Sequence, residues 1–120
     1  MDLKNINLEE CLKLLKEKKI SSKELTTFYI KEVEANKNLN AYISINTDNA
    51  VKLAEESDKR IANNNAGPLE GIPIAIKDLF CTKDIPTTAA SRILNNFKPA
   101  YESTVTQNLW DAGAILLGKT

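Results

Sequence analysis

The stretch Gly113-Ala114-Ile115-Leu116-Leu117-Gly118-Lys119-Thr120, "GAILLGKT", decides the fold, because it spells G-x-x-x-x-G-K-T and so poses a choice between a phosphate loop and a buried strand. A phosphate loop is entered from a strand and leaves into a helix, so that successive backbone N–H groups point at the anion. Here the residues between the two glycines are an unbroken apolar run with no turn former. Upstream, Thr104 to Ala112 has helical character, with Val105, Leu109 and Ala112 on one face, and Gly113 falls where a left-handed C-terminal cap is wanted. The order is helix, cap, strand over Ala114 to Leu117, which is the wrong order for binding a nucleotide.

Working back from that strand, "LEGIPIAIKDLF" at 69–80 places Ile72, Ile74 and Ile76 on one side and Pro73, Ala75 and Lys77 on the other, the alternation of a strand. Pro73 has no N–H for a ladder and belongs at the strand's start or at an unpaired position. The connection Cys81 to Pro99 is long and irregular, with one helical turn around Ser91 to Asn95. Strand, connection with helix, strand is a parallel crossover.

The first half reads as helices. Asn7 with Glu10 forms a capping box ahead of Leu8, Cys11, Leu12 and Leu15, and Ser21-Ser22-Lys23-Glu24 forms a second ahead of Leu25, Phe28, Tyr29 and Val33, ending near Ala35. Asn36 to Asn40 is turn chemistry. Ala41, Ile43 and Ile45 alternate as a short strand, and Thr47 or Asp48 caps a third helix through Ala50, Val51, Leu53, Ala54, Ser57 and Ile61. The Asn-rich stretch 63–68 then separates a helical region, 1–66, from a β-α-β region, 67–120. The class is α/β within one domain.

Composition narrows the function. Sixteen basic and sixteen acidic side chains cancel, leaving no net field for nucleic acid or an anionic membrane. Lys13, Lys16, Lys18 and Lys19 are interleaved with Glu9, Glu10 and Glu17 and read as a solvated face. No apolar run approaches the ~20 residues of a membrane helix. The start lacks a secretion signal, and Cys11 and Cys81 lie far apart with no histidine to activate either thiol, so a reducing cytoplasm is the expected setting.

Lys77 stands apart. An ammonium at the end of an apolar strand costs several kcal/mol to bury unless it is paired or loses its proton. Either its side chain reaches water or pairs with Asp78, or it is a desolvated amine able to act as a base.

The segments "GPLEGIPIAIKD", "CTKDIPTTAASRILNNFKPAYESTV" and "LWDAGAILLGKT" resemble the amidase signature family, and within it the branch of glutamine-dependent amidotransferase A subunits. The resemblance runs from about Leu8 to Thr120. It implies an incomplete piece of that family's mixed-sheet fold and assigns Lys77 to a Ser-cis-Ser-Lys triad, in which neutral lysine takes a proton through one serine so that a second attacks an amide carbon. It implies glutamine as substrate and ammonia passed to partner B and C subunits, with ATP and magnesium used by a partner and tRNA met only through the complex. No cofactor or metal is implied in this chain. Asp78, Thr87, Thr88 and Ser91 fall in a loop that the family places near its active site, where a supporting hydrogen-bond role competes with ordinary turn-forming hydroxyls.

The family's serines lie in glycine-rich segments downstream of its G-K-T. Ser21, Ser22, Ser44, Ser57, Ser91 and Ser103 have no such setting, and Ser21 or Ser22 reads as a helix cap, so this chain alone is expected to be inactive. Asp84 replaces a glycine usual after "CTK", and tolerates positive φ better than most residues; Pro86 replaces an arginine often found there. A piece of a stand-alone amidase and a non-catalytic product that docks through its helices are the competing readings.

Overall fold

The computed structural model describes residues 3–120. Helix α1, Leu8–Lys16, starts at the expected capping box: the Glu10 N–H donates to Asn7 Oδ1 at 2.9 Å and the Asn7 N–H to Glu10 Oε2 at 3.2 Å. Helix α2, Ser22–Ala35, starts the same way, with Ser21 N–H donating to Glu24 Oε2 at 2.8 Å and Glu24 N–H to Ser21 Oγ at 3.0 Å. Each box satisfies donors that a helix start otherwise leaves unpaired.

Strand β1 is only Ser44–Ile45, shorter than the Ala41–Ile45 alternation suggests. Helix α3, Thr47–Ala62, follows directly. Its N-cap is Asn46, without a side-chain cap bond, in place of Thr47 or Asp48. The Asn46 side chain faces the sheet instead, Nδ2 donating to Leu116 O at 3.4 Å, while its N–H donates to Leu117 O at 2.8 Å. Strand β2, Pro73–Ile76, begins at its proline, where the missing N–H costs no ladder bond. Helix α4, Thr104–Asp111, ends with Ala112 as cap and Gly113 at φ +94, the expected left-handed step. Its inward residue is Thr106, fully buried; Val105 is exposed, so the apolar face assigned from spacing is rotated.

Strand β3, Ile115–Lys119, extends past Leu117 to include Gly118 and Lys119. The sheet order is β1-β3-β2, with β3 antiparallel to β1 and parallel to β2, and a register irregularity between Ile74 and Ala75. The expected parallel β-α-β unit is present. The apolar run of the quoted segment is therefore the central strand, buried along its whole length, with β1 and β2 forming the edges. Gly118 and Lys119 continue the extended strand instead of turning, which removes the geometry that a phosphate loop needs.

Two clusters hold the layers together. Cys11, Leu15, Leu25 and Ile72 join α1, α2 and the approach to β2, while Ala50 and Ala54 let α3 lie against Ile115. Burying a side chain such as Leu25 contributes about 1.5–3 kcal/mol. Leu8, placed on the α1 core face by spacing, is exposed, and Ile30 on α2, which spacing does not single out, is buried.

The turn before β2 is locked by a carboxylate. Glu70 is buried and accepts from Ser57 Oγ at 2.6 Å, Arg60 Nε at 3.0 Å and the Gly67 N–H at 3.0 Å. Burial raises its proton affinity, but the donors from Arg60, Ser57 and Gly67 outweigh that and hold the carboxyl below the usual range.

Candidate functional site

The parallel pairing of β2 and β3 brings two lysines to one end of the sheet. Ile76 is paired with Lys119, the Thr120 N–H donates to Ile76 O at 3.0 Å, and the Asp78 N–H donates to Thr120 O at 2.8 Å. Lys77 and Asp78 thus leave β2 beside Lys119 and Thr120. The carboxyl end of parallel strands is where open α/β sheets place their ligands.

Lys77 is exposed, and its Nζ donates to the same Thr120 carbonyl oxygen at 3.3 Å. A desolvated amine is one of the states its sequence setting allows; this chain does not bury it. The cause is the strand's alternation: Ile72 and Ile76 point inward, which turns Ala75 and Lys77 outward on an edge strand. Nor does Lys77 pair with Asp78. Among the described residues it forms no ion pair.

Asp78 is 2% exposed and turns the other way, accepting from the Thr88 N–H at 3.2 Å and from the Thr88 hydroxyl. Its carbonyl accepts from the Ala89 N–H at 2.7 Å. Asp78 and Thr88 together close the loop that leaves β2. Thr87 is buried and its hydroxyl donates to Ile85 O at 3.2 Å. Ser91 is half-buried, its N–H donates to Thr88 O at 2.8 Å, and its side chain makes no cap bond for the short 3-10 turn Arg92–Leu94. The loop hydroxyls of Thr87 and Thr82 bond the backbone two residues away, the ordinary behaviour of turn threonines.

This loop is strained. Ala89 and Ala90 sit at φ +47 and +57, a left-handed conformation that costs alanine about 1–2 kcal/mol per residue. Asp84 sits at φ +61, the conformation expected if it stands for a glycine. Such strain persists only where surrounding bonds over-determine the backbone. Here the Asp78 carbonyl, the Asp78 carboxylate and the Thr88 carbonyl supply those bonds.

The residue that sequence reasoning misses is Lys119. It is completely buried, and its Nζ lies 2.9 Å from Phe80 O, 2.7 Å from Thr82 Oγ1 and 3.1 Å from Thr87 Oγ1. An ammonium has three donors, and all three are used on neutral oxygens. Burial pushes its proton affinity below the ordinary lysine range, against the opposing pull of Asp78, Cys81 and Glu102. The signal in the sequence is a lysine two residues beyond "AILL", continuing a strand with no exposed face.

Four of the six serines have structural duties. Ser21 caps α2, Ser103 caps α4, the Ser22 hydroxyl donates to Gly71 O at 2.9 Å and that of Ser57 to Glu70. Cys11 is buried, and Cys81 lies 3.5 Å from the Tyr101 hydroxyl. Among the described residues no group of three or more His, Cys, Asp or Glu is placed to hold a metal, and no helix is long and apolar enough to cross a membrane. The site therefore offers an accessible amine with a firmly held loop beside it.

The amidase family model matches residues 24–120, which include β2, the Asp78–Ser91 loop and β3. The chain belongs to the amidase family. The A subunit of glutamyl-tRNA(Gln) amidotransferase from Parvibaculum lavamentivorans is 53% identical over 118 residues, covering 98% of this chain and 24% of that protein. The A subunit from Rickettsia bellii is 52% identical over 119 residues, with 99% and 24% covered. Native peptide amidase from Stenotrophomonas maltophilia superposes with a TM-score of 0.92 at 30% identity, covering 99% of this chain and 25% of that one. The chain spans about a quarter of the length of the relatives it matches. It is a partial amidase fold, with the α/β class expected.

Proposed function

We propose that this chain is the N-terminal part of the glutamine-hydrolysing A subunit of a glutamyl-tRNA(Gln) amidotransferase, 1–120 forming part of one amidase domain. In the complete protein, ammonia released from glutamine converts Glu-tRNA(Gln) to Gln-tRNA(Gln) together with the B and C subunits in the cytoplasm, with ATP and magnesium used by a partner. The observation that carries this reading is the position of Lys77: it stands at the carboxyl end of a parallel strand, within a segment about half identical to the Parvibaculum protein.

Lys77 is the proton acceptor of the proposed triad. Neutral amine takes a proton relayed from a serine hydroxyl while the serine oxygen attacks the amide carbon. The C–N bond breaks, and the proton passes to the departing nitrogen to give ammonia. Water then cleaves the acyl-serine ester to release glutamate and restore the hydroxyl. Burial of the Lys77 amine, which this role needs, comes from whatever packs over the strand ends in a whole amidase. Asp78, Thr87, Thr88 and Ser91 act behind it by fixing the loop. The chain by itself, with no serine in a glycine-rich segment of the family kind, has no nucleophile for glutamine.

The test is a chimera in which this chain replaces the matching quarter of the Parvibaculum protein, assembled with that organism's B and C subunits. Glutamine hydrolysis should appear in the chimera, be absent from the isolated chain, and fall by ~10²–10⁴-fold in Lys77→Ala, the range for loss of a general base. Turnover undiminished in Lys77→Ala sinks the assignment. Hydrolysis of other small amides in preference to glutamine would favour a stand-alone amidase, a reading supported by the fit to peptide amidase.

A further inference from the structure

Lys119 has a place in the fold that its neighbours on β3 do not explain. A fully buried ammonium is costly, and a methionine or leucine there would complete the apolar strand at lower cost. What the ammonium does instead is join the two limbs of one loop: Phe80 O and Thr82 Oγ1 lie on the outgoing limb, Thr87 Oγ1 on the returning limb. Thr87 is followed by Thr88, which holds Asp78, which follows Lys77. The loop is thus tied at its base by Asp78 and across its middle by Lys119, and the left-handed pair Ala89-Ala90 lies just past the second tie.

We propose that Lys119 is a positioning residue: its buried ammonium clamps the 80–87 loop so that Thr88 and Asp78 hold the end of β2, and with it Lys77, in a fixed geometry. This rests on the reading of Lys77 as the proton acceptor. The clamping ammonium is fully buried and bonds only oxygens of the loop, so it acts through the loop. A neutral hydrophobic side chain fills the volume but cannot bridge the limbs, and the strained returning limb is then free to relax.

The clamp is tested in the same chimera by Lys119→Met, with kcat and KM for glutamine hydrolysis and amide hydrogen exchange measured together. The expected result is a fall in kcat of about 10²-fold with KM within about twofold, as for a misplaced catalytic group. Exchange should speed about tenfold or more at Thr87, Thr88 and Ala89 while the amides of α1 and α2 stay protected. An unchanged kcat overturns the proposal. So does faster exchange spread evenly through α1 and α2, which would make Lys119 a general stabiliser. Where Lys119→Met gives no soluble protein, Thr82→Val and Thr87→Val each remove one acceptor at nearly constant volume; a kcat reduced severalfold at constant KM supports the clamp, and wild-type kcat in both overturns it. Lys77→Ala separates the two readings: if it is active, the assignment of Lys77 fails and the clamp with it; if it is inactive while Lys119→Met is fully active, the clamp alone fails.

Discussion

The Asp78 carboxylate accepts both the backbone N–H and the hydroxyl of Thr88, ten residues further along the chain. Two donors from one residue converge on a carboxylate that is almost completely buried. An acceptor of that kind is stable in the interior only while its partners stay. The pair therefore fixes the span of the loop that leaves β2, whatever the exposed residues between them do.

Thr88→Val keeps the shape and removes the hydroxyl donor, leaving the buried Asp78 carboxylate with its N–H partner alone. Loss of about 1–3 kcal/mol is expected, the cost of an under-satisfied buried acceptor, read as a lower urea midpoint at unchanged slope. Thr88→Ser should recover most of it. A midpoint that does not move in Thr88→Val would show that the hydroxyl contributes nothing.

Glu70 gives a pH dependence. Burial acts against its charged form, but the donors from Arg60, Ser57 and Gly67 prevail, so its folded carboxyl titrates below the unfolded value of about 4.3. Its contribution is accordingly complete above that unfolded value and is lost as pH falls through the lower folded value. Glu70→Gln should cost about 1–2 kcal/mol at neutral pH, discounted because the Arg60 side chain is 40% exposed and can be hydrated. The gap between wild type and variant should close in acid, below about pH 4. A gap that widens as pH falls contradicts the assignment.

Gly118 tests the sheet. A Cβ at this position would strike the Ser44 carbonyl oxygen and come within 2.8 Å of Tyr42 Cδ1, so β1 cannot stay seated on β3. Gly118→Ala should cost about 1–3 kcal/mol, the usual range for overpacking. It should also expose the Ile43 and Asn46 N–H groups, which donate to Lys119 O and Leu117 O at 2.8 Å each, to rapid hydrogen exchange. Continued protection of both amides would mean that the strand accommodates the methyl group by sliding.

Where local chemistry dictates local structure, the sequence was legible. Asn7 with Glu10 and Ser21 with Glu24 put hydrogen-bonding side chains at the one spacing that closes a helix start, and Gly113 supplied the left-handed step after α4. The run Ala114 to Leu117 excluded a phosphate loop because four apolar residues have no reason to surround a solvated anion. The same run could not say how many strands flank it. That it is central, with Ser44–Ile45 on one side and Pro73–Ile76 on the other, follows from contacts between segments far apart in the chain. Helix α4 shows the limit in miniature: spacing proposed Val105, and packing chose Thr106, whose hydroxyl bonds Cys81 O and Glu102.

The order of elements, the capping boxes of α1 and α2 and the family could be read from the chain alone, because each depends on residues near one another or on a shared pattern. Which lysine is buried could not. Lys77 and Lys119 both end apolar strands, and nothing in either segment ranks them. β2 is an edge strand that turns Lys77 outward, whereas β3 is covered on both sides and its lysine meets Phe80, Thr82 and Thr87 from a loop that returns over it. Burial is a property of what folds over a residue, and the chain brings that cover from elsewhere.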